Sequence, residues 1–173
     1  MTVPNNLFQN QPDNALLWIY TSDRTISVAD QDRLLASVRN FIASWTSHER
    51  PVTAEVEILL DRFLIVSAYI PGGNVSGCGI DKLVHAMVVI RSGFEFEWLD
   101  RLQVPYKSET EGIVSVDRSA FRTMVNDGTI TGETLVYDTS LHTLGDLRAV
   151  GLERTAGNSW HARVFSLGAS VST

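Results

Sequence analysis

The stretch from Phe63 to Ile70 constrains the fold of this chain more than any other. It is apolar but for Ser67 and does not alternate, so as a strand it must be covered on both faces and lie inside a sheet. Just before it, Ala54, Val56, Ile58 and Leu60 alternate with Glu55 and Glu57, the period of a half-exposed strand. Asp61-Arg62 supplies a short turn between the two. The pair predicts a β-hairpin whose second strand is central.

Upstream, Ala15 to Tyr20 is an apolar run ending in Thr21-Ser22-Asp23-Arg24, a buried strand feeding a turn. Ser27 stands three residues before Asp30, as in a capping box. Leu34, Leu35, Val38, Phe41, Ile42 and Trp45 then place one apolar stripe on a helix from about Val28 to Trp45, and Pro51 closes the connection. Downstream, Pro71-Gly72-Gly73-Asn74 breaks the central strand. Ile80, Leu83, Val84, Met87 and Val88 predict a second amphipathic helix, ended by Gly93. Leu102 to Lys107 is the next strand. The order β-α-β-β-α-β predicts an α+β, ferredoxin-like sandwich: a four-stranded antiparallel sheet with both helices on one face.

A single domain over 15–165 is expected, with the ferredoxin-like part at 15–108 and a β-α-β extension at 109–165. The extension reads as a strand at Gly112 to Val116, a helix at about Ser119 to Asn126 stopped by Gly128, a strand at Thr134 to Tyr137, and a last strand at Trp160 to Phe165. Residues 1–14 and 166–173 read as disordered tails.

The formal net charge of −6 argues against a general nucleic-acid binder, which needs a basic face. One cysteine excludes an internal disulfide framework and any multi-cysteine zinc site. No apolar run reaches the ~18–20 residues of a membrane span, and the first thirteen residues carry no apolar signal core. The expectation is a cytoplasmic protein without a cofactor, whose partner is a small anionic ligand or another protein. Twelve of the fourteen basic residues are arginine, which suits fixed pairing with carboxylates or phosphates; biased genome composition is the ordinary explanation.

Two clusters are candidate sites. Gly72 and Gly77 have the four-residue gap of a phosphate-binding loop between a strand and a helix, but Cys78-Gly79 stands where that loop needs Lys followed by Ser or Thr. Triphosphate and Mg²⁺ thus lose their main partners, and a Walker-type ATPase is disfavoured. The loop retains backbone N–H groups at a helix start, around Ser76, Gly77 and Gly79, which attract anions. The other reading is a glycine-rich structural turn. Cys78, Asp81 and His85 fall at i, i+3 and i+7 on one helical flank, the residue types of a cysteine nucleophile with base and carboxylate. Phosphatase-type and rhodanese-type loops would have arginine where this chain has Val84 and Leu83. A thiol packed as a small hydrophobe is the alternative. Ser47 and His48 follow the first helix and are expected at the same sheet edge as Cys78. His48, Asp81 and His85 lack the close-spaced pair of a metal site, so none is expected. The second cluster is Asp23 and Arg24, Arg62 beside Asp61, and Asp100 and Arg101, all expected at the opposite edge. They form either an ion-pair network, an arginine-rich site for an acidic group, or simply solvated pairs.

Leu17-Trp18-Ile19-Tyr20, Asp23-Arg24, Trp45-Thr46-Ser47-His48, Ser76-Gly77-Cys78-Gly79-Ile80-Asp81 and Val84-His85 together resemble a family of small uncharacterised bacterial proteins often labelled "ABC transporter ATPase". The resemblance runs from about Leu16 to Phe165. The label brings no chemistry with it, since the chain has neither a complete Walker A motif nor an ABC signature of the Leu-Ser-Gly-Gly-Gln type. Val116, Phe121, Val125, Gly128, Ile130 and Thr134-Leu135-Val136-Tyr137 resemble the core of small GYF-type adaptor modules, which implies a peptide- or protein-binding end. Two functions follow: a binding or regulatory module, or an enzyme or anionic-ligand sensor using the Cys78 loop with His48, Asp81 and His85.

Overall fold

The computed structural model describes residues 6–167. Its elements begin with β1 (Leu16–Thr21), α1 (Val28–Ala43), the two short strands β2 (Thr46–Ser47) and β3 (Arg50–Pro51), β4 (Thr53–Leu59), β5 (Phe63–Tyr69) and α2 (Gly77–Arg91). As its composition requires, β5 is central: it lies between β1 and β4 and is antiparallel to both. Leu64, Val66 and Ala68 of β5 join Trp18, Val56 and the buried sides of both helices, Leu34 and Val38 from α1 and Leu83 and Met87 from α2, in one core. Each helix starts at a serine: Ser27 Oγ accepts from Asp30 N at 3.2 Å, and Ser76 Oγ accepts from Gly79 N at 3.3 Å.

The other face of β5 is also covered. Phe63, Ile65 and Ser67 are fully buried there, and Gln11 explains the polar member: Ser67 Oγ donates to Gln11 Oε1 at 2.6 Å, and Gln11 Nε2 donates to Ser67 O at 3.1 Å. Leu7 and Phe8 are buried in the same amino-terminal segment. Residues 6–14, expected as part of a tail, are therefore packed, while 1–5 lie outside the described residues.

Ferredoxin-like topology asks for a fourth strand beside β1. That position is filled by two short segments. Asp23 N donates to Glu97 O and Leu99 N to Thr21 O at one end of β1; Leu17 N donates to His142 O and Leu144 N to Ala15 O at the other. The sequence carries the first of these as Phe94, Phe96 and Trp98 alternating with Glu95 and Glu97. Phe96 is buried, and Trp98 lies against Tyr20 at 5.5 Å between ring centroids. The strand expected at Leu102 to Lys107 does form, as β6 (Val104–Ser108), but in a second sheet. Its nearest partner in sequence, β7 (Gly112–Val116), pairs with it along its whole length, a local hairpin that wins over the more distant β1.

The remaining elements are α3 (Arg118–Asn126), β8 (Leu135–Tyr137), α4 (Leu144–Val150), β9 (Glu153–Thr155) and α5 (Trp160–Phe165). The chain divides into two compact units, one of 6–99 and 141–149, the other of 100–140 and 150–167. In the first, Arg148 of α4 donates to Phe8 O at 2.9 Å and Gln11 O at 3.1 Å and pairs with Asp13 at 2.6 Å, fastening the amino-terminal segment. In the second, the sheet order is β7-β6-β8-β9, over a core of Val104, Tyr106, Phe121, Ile130, Val136, Ala156 and Phe165.

Trp160 to Phe165, read as a strand, is the helix α5. Its aromatic and β-branched content favours a strand, but Ser159 caps it by accepting from His161 N at 3.3 Å. His161 and Phe165, four apart, are both buried on one side. Leu167, read as tail, packs against the core of this unit, and 168–173 lie outside the described residues. Among the described residues no helix is long and apolar enough to cross a membrane.

Candidate functional site

The loop before α2 and the β2–β3 hairpin meet, as the topology implies. Ser47 Oγ accepts from Ser76 N at 2.9 Å, and the two serine hydroxyls lie 2.6 Å apart in a hydrogen bond. Trp45 Nε1 donates to Gly79 O at 2.9 Å, and Lys82 Nζ donates to Thr46 O at 3.0 Å and Thr46 Oγ1 at 3.1 Å. A Cβ at Gly79 would lie 2.8 Å from both Cβ and Oγ of the buried Ser47, and 3.0 Å from Val75 Cγ1. At Gly73 the guanidinium of the exposed Arg50 crosses the place a Cβ would take as it donates to Pro71 O at 2.7 Å, a contact that the flexible end of that side chain can yield. These two glycines admit neighbouring side chains of the protein itself.

The other residues of this cluster face outward. Gly77, Cys78, Asp81 and His85 are exposed on the side of α2 away from its buried Gly79, Leu83 and Met87. His48 is exposed in the two-residue turn of the β2–β3 hairpin, where it and Glu49 have φ of +49° and +64°, the left-handed pair such a turn demands. Among the described residues no group of three or more His, Cys, Asp or Glu side chains is placed to hold a metal ion. The structure thus brings Ser47, Ser76 and Gly79 together and presents Cys78, Asp81, His85 and His48 to solvent.

The second cluster divides between the units. In the first, Arg24 grips Asp23 through two nitrogens, Nη2 to Oδ2 at 3.0 Å and Nε to Oδ1 at 3.2 Å. The Arg24 side chain and the Glu97 N–H hold the Asp23 carboxyl below the usual carboxylate range, with the Arg62 charge adding to the effect and partial burial opposing it. Arg62 is buried and donates through Nε and Nη2 to Ser22 O at 3.1 and 3.0 Å, which ties the β4–β5 turn to the end of β1. Asp100 and Arg101 belong to the second unit, where Asp100 Oδ1 caps a turn by accepting from Leu102 N at 2.7 Å.

Two features of the second unit lie outside these clusters. The first is a groove. β6 and β8 are antiparallel with Tyr106 opposite Val136, while β6 follows β7 as far as Ser108 and β8 starts at Leu135. Residue 134 is turned the other way: Thr134 O accepts from Ala156 N at 2.8 Å, and Thr134 N donates to Thr131 O at 3.1 Å in a turn. Beside this end of β6 and β8 lies an open groove of about 810 Å³. It is lined by residues 106–110 together with Met124, Gly128, Thr129, Thr131 and residues 133–135. Tyr106 Oη donates to Met124 Sδ at 3.9 Å, and burial, reinforced by the Glu111 charge, pushes its phenol pKa up.

The second is a buried imidazole. His161 is inaccessible to solvent, stacked on Trp160 with ring centroids 3.8 Å apart. Ser159 Oγ donates to Ala156 O at 3.0 Å and lies 2.8 Å from His161 Nδ1. With the hydroxyl hydrogen on Ala156 O, the ring donates from Nδ1 and the lone pair sits on Nε2, which is buried with no partner. Nearby, the buried Asp138 accepts from Trp160 Nε1 at 3.1 Å and Ser140 Oγ at 2.5 Å and pairs with Arg154 at 3.4 Å. Burial drives the His161 pKa down to about 4; the Asp138 charge opposes this, while Arg154 and Arg118 add to it. No signal for the groove exists in the sequence, since it lies where segments distant along the chain meet. His161 had only its neighbour Trp160 to mark it.

In comparison with known proteins, no protein-family model, no curated protein and no solved structure matches the chain.

Proposed function

We propose that this chain is a cytoplasmic binding or regulatory module that engages a protein partner through the groove of its second unit. The observation that carries this reading is the groove itself. Its volume lies within the ~300–1,000 Å³ common for binding clefts, and its lining joins Tyr106 and Met124 to hydroxyls and charges. By contrast, the hydroxyls at the Cys78 loop bond to each other and to backbone. Selection of displayed random peptides on the full chain, followed by amide chemical shifts, tests the proposal. Selected peptides are expected to perturb 107–110 and 128–135; failure to select any, or perturbation elsewhere, counts against it.

One observation favours the alternative of an enzyme or anionic-ligand sensor: Cys78 is exposed near the start of α2. If the module reading holds, native Cys78 is alkylated at a rate close to that of the unfolded chain, and His48→Ala and His85→Ala leave that rate unchanged. Labelling much faster than in the unfolded chain, slowed by either substitution, would favour the sensor.

A further inference from the structure

We infer that β4, in the first unit and apart from the groove, takes up an extended, basic segment of a partner protein as an added antiparallel strand. β4 ends its sheet, with β5 on one side and, among the described residues, no strand on the other. The ladder fixes which groups it offers. Leu17 N and Thr21 O bond away from β5, to His142 and Leu99, so Leu16, Trp18 and Tyr20 are the residues that bond to Ala68, Val66 and Leu64. Residues 63, 65, 67 and 69 of β5 are left for residues 59, 57, 55 and 53 of β4. Ala54, Val56 and Ile58 therefore turn their backbone donors and acceptors outward. Val52, of the same parity, donates outward to Trp45 O at 3.0 Å. At the other end Ile58 N reaches only the carboxylate of its own neighbour, Glu57 Oε1, at 3.0 Å. Between them, Ala54 and Val56 have no backbone partner among the described residues. Such an edge recognises extended chain before it recognises any particular side chain.

Side-chain preference follows from the two faces of β4. Ala54, Val56 and Ile58 point into the core shared with α1, where Ala54 and Ile58 are only partly buried. Glu55 and Glu57 point to the other face, and neither forms an ion pair among the described residues. A second copy of the chain fits this edge badly. Antiparallel self-pairing centred on residue 55, 56 or 57 sets glutamate directly opposite glutamate, a destabilising arrangement. A strand alternating basic and apolar residues does the reverse. Its cations lie beside Glu55 and Glu57, and its apolar side chains extend the core past Ala54 and Ile58. An incoming carbonyl takes the Ile58 N–H and frees the Glu57 carboxylate for a cation.

The test uses the full chain and three acetylated peptides of equal charge that alternate lysine and valine. One is unmodified, one is N-methylated at its valines and one at its lysines. In antiparallel register the valines lie opposite residues 54, 56 and 58 and exchange hydrogen bonds with them, whereas the lysine amides point away. Exchange of the Ala54 and Val56 amides should be fast in the free chain and slowed by the unmodified peptide. Methylation at valine should weaken binding about tenfold or more, as loss of two backbone hydrogen bonds requires. Methylation at lysine should change it little. Glu55→Gln with Glu57→Gln should weaken the unmodified peptide about threefold or more. Equal binding of all three peptides, no perturbation at 54–58, or slow exchange of Ala54 and Val56 in the free chain overturns strand addition at β4. A glutamate–valine peptide that binds as tightly as the lysine one overturns the basic preference. These outcomes leave the groove untouched, since its reading is carried by 107–110 and 128–135.

Discussion

Bringing the pH from about 7 to about 4 should remove on the order of 3 kcal/mol from the stability of the second unit through one side chain, His161. Its pKa is pushed from 6.5 to about 4 in the folded chain, and each tenfold loss of proton affinity corresponds to ~1.4 kcal/mol between protonation states. Because the folded value lies below the unfolded one, the unfolded chain binds the proton first as the pH falls. The stabilisation is complete above about 6.5 and is lost progressively down to about 4. The cause is geometric: the ring is buried, stacked on Trp160 and within 6.2 Å of Phe165, and its Nε2 has no acceptor to receive a proton's hydrogen bond. Amide exchange at Phe121, Val136 and Phe165, followed against pH, reads the effect inside this unit. In His161→Phe the slope between these two values should flatten, and the imidazole resonance of the native chain should remain neutral at pH 5. An imidazole titrating near 6.5, or the same slope in both proteins, would refute the assignment.

Gly79→Ala should cost about 1–3 kcal/mol, the usual penalty for forcing a methyl into a filled site. The new Cβ would fall 2.8 Å from Ser47 Cβ, which is buried and has no flexible end to move aside. Moving it shifts the Ser47–Ser76 hydroxyl pair and the Trp45 bond to the Gly79 carbonyl together. Gly77 supplies the control, since a Cβ there meets nothing within 4 Å. Gly77→Ala at the start of the same helix should therefore be neutral, or stabilising by up to ~1 kcal/mol through helix propensity. Adding Ser47→Gly to Gly79→Ala should recover part of the loss by vacating the contact. Urea unfolding of the four proteins decides the matter: if the two alanine variants lose equal stability, the steric account is wrong.

Much of the first unit was readable because its periods are clean. The unbroken run at Phe63–Ile70 had to be central, and the stripes on α1 and α2 had to face one side of it. The fourth strand was the exception. Phe94, Phe96 and Trp98 have the right alternation, but they make only two backbone bonds with β1, too few to stand out against the longer apolar segment at 102–107. The joining of Ser47 to Ser76 followed from element order alone. The direction of His48 did not, because it depends on a two-residue turn with both φ angles positive. The groove was beyond reach for a related reason: residues 106 and 136 are far apart in sequence, and no local pattern says that they meet.

The detour of the chain has a consequence for how it is made. The first unit is discontinuous: it uses 6–99, then waits for 141–149 to arrive after β6, β7, α3 and β8 have been synthesised. Until then, one end of β1 lacks the bonds from His142 and Leu144, and the amino-terminal segment lacks the Arg148 clamp. A ribosome-bound chain stopped at residue 99 holds an unfinished sheet with a bare edge, which invites pairing with the wrong strand. The last part of the first unit to be translated thus closes the first part, and the most distant contacts in sequence are the ones that complete it.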